Sequence, residues 1–267
     1  MAEFISRSSV RRAADGTYTA TLLPEWTSII AIHGGYVAAI AAQTMTEILA
    51  DDRSLRTLHV QFVRPPQPGD VVIEHEIVSS GRTTTFLRTL VRQEGKAVLA
   101  MSVIAAAPRA GLEFDELPRP ALAGTTPPPG LERYTGPNPG GHLEQFDFRL
   151  EPGLTMYGEH GVARVAGWLR PVGPNETLSI PWMVCAADFM PPSVLFRIGN
   201  PVPAASVEMS VHLLDDEPSA SVPQGEYIFA EMRSAISSGG FCVEDGTFWS
   251  PAGTLLATSR QFRLSGG

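Results

Sequence analysis

Positive charge is scarce in this 267-residue chain. Its 20 Lys and Arg face 28 Asp and Glu, for a formal net charge of −8. With no basic run to meet a phosphate backbone, nucleic acid is not an expected partner. Cysteine is nearly missing: Cys185 and Cys242 make neither a disulfide framework nor a zinc site. Long apolar runs are missing too. The longest, residues 29–42, is interrupted by His33, Gly34 and Gly35 and falls short of the about 20 residues that span a bilayer, so no membrane insertion is expected. The N-terminal stretch MAEFISRSSVRRAADG has no apolar signal core, which predicts a cytoplasmic protein. The Asn175-Glu176-Thr177 sequon is then expected to stay unglycosylated. No GxSxG elbow, P-loop, GxGxxG or HExxH occurs, and the six histidines are dispersed. These absences argue against a covalent serine hydrolase, an NTPase, a nicotinamide enzyme and a metal centre, so no metal or cofactor is expected.

What is present is a globular composition, 43% hydrophobic and 18% charged, arranged as an internal repeat. The first half holds a small-residue helix pattern over residues 33–49, opening with His33-Gly34-Gly35. A strand follows at 58–63 (LHVQFV), then the turn PPQPGD and a strand at 71–80. A long hairpin turning at Gln93-Glu94-Gly95-Lys96 closes the half. The second half has the same order: a helix pattern starting near Asp188 (AADFMPPSVLF), a strand at 206–213 (SVEMSVHL), the segment EYIFAEMRSAISSGG, and a hairpin FCVEDGTFWSPAGTLLATSRQFRL. Ser79-Ser80-Gly81 recurs as Ser237-Ser238-Gly239 and Gly95 as Gly253, both 158 residues on (239 − 81 and 253 − 95). Each copy also has an upstream strand, at 16–23 and 161–169.

Two copies suggest a fused pseudo-dimer rather than a solenoid. The expected division is an N-terminal unit 1–108, a Pro/Gly-rich linker 109–158 without a core of its own, and a C-terminal unit 159–267. The first helix has an apolar face of Val37, Ile40, Ala41, Thr44 and Ile48, and its other positions are Ala38, Ala39, Ala42 and Met45. A helix apolar nearly all round is buried nearly all round. An antiparallel sheet wrapped around one buried helix is a hotdog, and two units side by side make a double hotdog, an α+β fold. The two helices should lie on one side of one extended sheet. Exposed edges and apolar faces predict further assembly into a homo-oligomer.

Together, the HGG helix start, LHVQFVRPPQPGD, SSGRTTTFLRTLVRQEGKAVLAMSV and the second-half segments CAADFMPPSVL and SAISSGGFCVEDGTFWSPAGTLLATSRQF resemble the acyl-CoA thioesterase II family of double-hotdog thioesterases. The resemblance covers roughly residues 15–265. It implies an acyl-CoA substrate, hydrolysis to free acid and CoA, and no covalent intermediate. That family orients a hydrolytic water with an Asp, a Thr or Ser, and a Gln. Motif position assigns these to Asp188, placed at the start of the second helix, Ser206 at the start of the next strand, and Gln261 in the last strand. Serine keeps the hydroxyl but loses the methyl that restricts χ1. The surroundings of Gln261, TSRQFRL, depart from the family's small-residue context.

The chemistry stands without the family. Thioester hydrolysis needs a water near the carbonyl carbon, an acceptor for its proton and donors for the oxyanion. A carboxylate, a hydroxyl and an amide supply the first two, and a helix N-terminus supplies backbone donors. Gly34 and Gly35 leave room for a carbonyl there, so His33, Gly34 and Gly35 are candidate substrate-binding residues. Read alone, each residue has a plainer role. Asp188 is an N-cap of its own helix, Ser206 shares an outer strand face with Glu208, Ser210 and His212, and Gln261 is a surface residue. Gly34 and Gly35 only ease helix–sheet packing, and His33 is a satisfied core or cap histidine. Two rival functions remain: a non-catalytic acyl-ligand-binding hotdog, and an enoyl-CoA hydratase, which needs a His a few residues after the Asp where this chain reads FMPPSVLFRIG.

Overall fold

The computed structural model describes residues 3–29, 31–137, 140–173 and 176–266. Ile30 of the apolar run and Asn175 of the sequon lie outside the described residues. A short helix α1 (Glu3–Arg7) precedes strands β1 (Arg11–Arg12) and β2 (Tyr18–Leu22). Helix α2 (Gly34–Thr46) leads into β3 (Ser54–Phe62), β4 (Gly69–Ser80), β5 (Thr84–Gln93) and β6 (Lys96–Ala106). Strands β7 (Phe146–Leu150) and β8 (Ala163–Pro171) then precede helices α3 (Ile180–Phe189) and α4 (Val194–Arg197). The chain ends with β9 (Ser206–Leu213), β10 (Ile228–Ser238), β11 (Phe241–Trp249) and β12 (Leu255–Leu264).

These strands form one antiparallel sheet in the order β1-β2-β4-β5-β6-β3-β9-β12-β11-β10-β8-β7. Read outward from its middle, the sheet is a palindrome: β3-β6-β5-β4-β2 on one side matches β9-β12-β11-β10-β8 on the other. The halves join where β3 pairs with β9, from Thr57 opposite His212 to Gln61 opposite Glu208. Helices α2 and α3 pack against one another, so the fold is the expected double hotdog. Both recurrences fall at equivalent turns. Ser80-Gly81 and Ser238-Gly239 leave β4 and β10, while Gly95 and Gly253 lie in the β5–β6 and β11–β12 connections. The β5–β6 turn needs positive φ at both central residues, and has it at Glu94 (50°) and Gly95 (75°).

Helix α2 is buried nearly all round, as its composition requires. Small side chains let α3 approach closely: a Cβ on Gly35 would sit 2.8 Å from the carbonyl oxygen of Cys185. Pro181 falls in the first turn of α3, where its missing N–H costs nothing. Pro191 and Pro192 stop the helix, since a residue before proline is driven out of the α region. Asp188 therefore stands in the last turn of α3, not at a helix start, and the expected AADFMPPSVLF helix is split between the end of α3 and α4. Part of the 109–158 segment is folded. Its strand β7 pairs with β8, and buried Phe146 and Phe148 place their rings 4.3 and 6.0 Å from that of Phe189. Among the described residues, no helix is long and apolar enough to cross a membrane.

Candidate active site

The end of α3 and the start of α2 meet between the two halves, and each leaves backbone groups that its own helix cannot satisfy. Side chains satisfy groups of both sets, and two of the four bonds cross between the halves. The Gly35 N–H donates to Asp188 Oδ2 at 2.9 Å, and the Tyr36 N–H donates to His33 Nδ1 at 3.3 Å. At the other helix end, Gln261 Nε2 donates to the Ala187 carbonyl at 2.6 Å and His33 Nε2 lies 3.1 Å from the Asp188 carbonyl. Asp188 thus does cap a helix N-terminus, but that of α2 in the other half, where the helix dipole favours its negative charge.

His33 has one consistent tautomer. Its Nδ1 accepts from Tyr36, so Nε2 carries the proton and donates to the Asp188 carbonyl. Burial pushes its pKa below the ordinary histidine value, against the opposing pull of the Asp188 carboxylate 3.6 Å away. His142, from the segment before β7, stacks on His33 with ring centroids 5.1 Å apart and planes 10° from parallel. Burial, and then the neighbouring His33, push His142 down to about 3, opposed by the Thr27 carbonyl.

Ser206 reaches the interior through a bulge. In the β9–β12 ladder Glu208 lies opposite Phe262 but Ser206 lies opposite Arg263, so Val207 is the extra residue. The bulge reverses the alternation, which corrects the expected outer face. Ser206 joins Met209, Gln261 and Arg263 on the inner side, while Val207 is left exposed. Gln261 is fully buried and so is not a surface residue; Phe262 beside it is the exposed one.

The Ser206 hydroxyl lies 2.9 Å from Asp188 Oδ1 and 2.8 Å from Gln261 Oε1, and accepts from Arg263 Nη1 at 2.8 Å. Gln261 cannot turn its amide round, because Nε2 is committed to the Ala187 carbonyl. One hydroxyl proton therefore faces two acceptor oxygens. The carboxylate, only 8% exposed, keeps lone pairs for a further proton, as a base for a bound water requires.

The structure thus gathers the other five expected residues around the Asp188 carboxylate, Gln261 through Ser206. Gly34 belongs by closeness: a Cβ there would lie 2.4 Å from the Phe62 ring and 3.2 Å from Asp188 Oδ2. Sequence reasoning missed Arg263, Glu244 and His142. Arg263 is buried, and its Nε donates to buried Glu244 at 2.6 Å. Glu244 in turn accepts from the Ser193 N–H at 2.6 Å. A signal existed for Arg263, which is two residues from Gln261 and so shares its strand face. His142 lies in a Gly-rich stretch with no periodicity to place it. In the first half, the position 158 residues before Gln261 holds Val103, so that half lacks the amide.

Residues 22–106 match a family described as the acyl-CoA thioesterase N-terminal domain, and residues 115–264 one described as the acyl-CoA thioesterase C-terminal domain. No curated protein sequence matches the chain. Among solved structures, a hotdog protein of unknown function from Alicyclobacillus acidocaldarius superposes with a TM-score of 0.89 at 21% identity, covering 100% of this chain and 99% of that one. A putative thioesterase II from Thermobifida fusca gives 0.81 at 25% identity, covering 100% and 98%. The tesB protein of Mycobacterium avium subs paratuberculosis gives 0.76 at 20%, covering 98% and 97%.

Proposed function

We propose, for a chain that belongs to the acyl-CoA thioesterase family, that it hydrolyses an acyl-CoA thioester to a free acid and CoA with Asp188 as general base. The observation that carries this reading is the Asp188 carboxylate, fixed by the Gly35 N–H on one oxygen and lying 2.9 Å from the Ser206 hydroxyl on the other. Asp188 takes a proton from water as the water oxygen attacks the thioester carbonyl carbon. The tetrahedral intermediate collapses, the C–S bond breaks, and the proton passes from Asp188 to the CoA thiolate. Ser206 and Gln261 orient the water. His33, Gly34 and Gly35 line the acyl or oxyanion side.

The same reading makes the protein a cytoplasmic homo-oligomer of fatty acid metabolism, with units 1–108 and 159–267 and with β7 of the intervening 109–158 segment belonging to the second unit. Two free, buried cysteines suit a reducing compartment. Exposed Ile77, Val78 and Phe86 offer apolar surface for self-association.

The test is Asp188→Asn, assayed by CoA thiol release over a series of acyl chain lengths. Asparagine caps a helix about as well as aspartate, so the fold should hold. Hydrolysis should fall by roughly 10²–10⁴-fold, the contribution of a positioned general base, with little change in substrate affinity. Near-parental hydrolysis by the folded variant would leave Asp188 with its capping role alone. Bound thioester that stays intact on the parent protein would favour a ligand-binding hotdog instead.

A further inference from the structure

The strongest unexplained feature is a buried guanidinium in the site. Arg263 is 4% exposed, and its partner Glu244 is 1% exposed. Its Nε is held by Glu244 at 2.6 Å, its Nη1 donates to the Ser206 hydroxyl at 2.8 Å, and its Nη2 lies 4.0 Å from Asp188 Oδ1 without a hydrogen bond. A charge pair in the interior costs desolvation free energy that a well-packed apolar pair would avoid. Packing alone therefore does not account for it.

Ser206 supplies a reason. Serine has a single heavy atom on Cβ and lacks the second substituent that stiffens χ1 in threonine. Its hydroxyl is also contested, with two acceptors for one proton. We infer that Arg263 is a positioning residue that fixes the rotamer of Ser206 and confines its proton to the two acceptors, doing with a hydrogen bond what a β-methyl would do by sterics. A donor on one lone pair of Oγ leaves the hydroxyl proton only the direction of Asp188 and Gln261. Glu244 aims the guanidinium, and is itself anchored by the Ser193 N–H. Arg263 does not touch the reacting atoms; it acts through Ser206.

Removing Arg263 alone would strand a buried Glu244 charge, which is strongly destabilising. The test therefore neutralises the pair together, as Glu244→Gln/Arg263→Met; glutamine still accepts from Ser193. Three measurements follow: thermal unfolding, the kcat and KM of acyl-CoA hydrolysis, and a crystal structure of the double variant. A folded double variant should lose kcat on the order of 10²-fold, the usual cost of a mispositioned group, with KM little changed. Ser206 should leave its single rotamer. Adding Ser206→Thr should then raise kcat by a larger factor in the double variant than in the parent, because only there is the rotamer unrestrained. A merely structural Arg263 would move the melting temperature and give no such difference.

The kinetic arm rests on the hydrolytic reading of the site, and the crystallographic arm does not. A parent protein without thioesterase activity sinks that reading alone, and the Ser206 rotamer then decides the role of Arg263. In an active parent, a double variant with near-parental kcat, or with Ser206 still in one rotamer on Asp188 and Gln261, overturns the proposal.

Discussion

Acid should destabilise this fold through His142 by an amount that can be worked out in advance. The side chain is buried against His33 and Phe189 and is held down to about 3 from the ordinary 6.5. Between these two values the unfolded chain binds a proton that the folded chain refuses, so stability falls as pH falls. The loss starts near pH 6.5 and ends near pH 3, with a slope approaching about 1.4 kcal/mol per pH unit. From pH 7.5 to pH 5 the single residue accounts for about 2 kcal/mol. His33 and His75 act in the same direction, because burial depresses both, His75 to about 4. The diagnostic quantity is therefore a difference. His142→Phe keeps an aromatic ring in the stack and removes the titrating group. Urea unfolding of parent and variant at pH 7.5 and pH 5 should show the parent losing about 2 kcal/mol more than the variant. An equal loss in both would refute the assignment, whatever their absolute stabilities.

Gly35→Ala should be poorly tolerated. Its Cβ would fall 2.8 Å from both the Asp188 Cβ and the Cys185 carbonyl oxygen. Thermal or chemical unfolding should register a cost of about 1–3 kcal/mol, as for other overpacked contacts, together with a drop in hydrolysis; parental stability would contradict the close approach. Ser206→Ala and Gln261→Ala should each slow turnover less than Asp188→Asn, since in the proposed mechanism each orients the water and neither takes its proton; steady-state kinetics ranks them. Calorimetry with a non-hydrolysable acyl-CoA analogue should give one equivalent bound per chain, and a stoichiometry of two would show a second competent site.

Sequence was most informative where local chemistry fixes the backbone. The Glu94-Gly95 turn announced its hairpin, and the 158-residue recurrence announced the internal pseudo-dimer before any strand was paired. Asp188, Ser206 and Gln261 were legible as a set only through family resemblance, because they converge from three separate elements. The helix limits around Asp188 were misread, although Ser179, Pro181 and the Pro191-Pro192 pair mark both ends of α3. Alternation placed Ser206 on the wrong face because a bulge at Val207 is set by ladder register, which one strand's sequence does not display. Arg263 and Glu244 stayed hidden because charged residues on strands are read as solvated until a partner across the sheet is seen.

The seam between β3 and β9 also frees the chain from a constraint that binds true dimers. A homodimer of one hotdog unit has to carry the same residue at both symmetry-related positions, so every change is made twice. Fusion into one polypeptide lets the positions diverge, and here they have: Gln261 stands on β12 where the first half offers Val103. The second half keeps the acid, hydroxyl and amide, while the first contributes a helix terminus that cannot change without disturbing them.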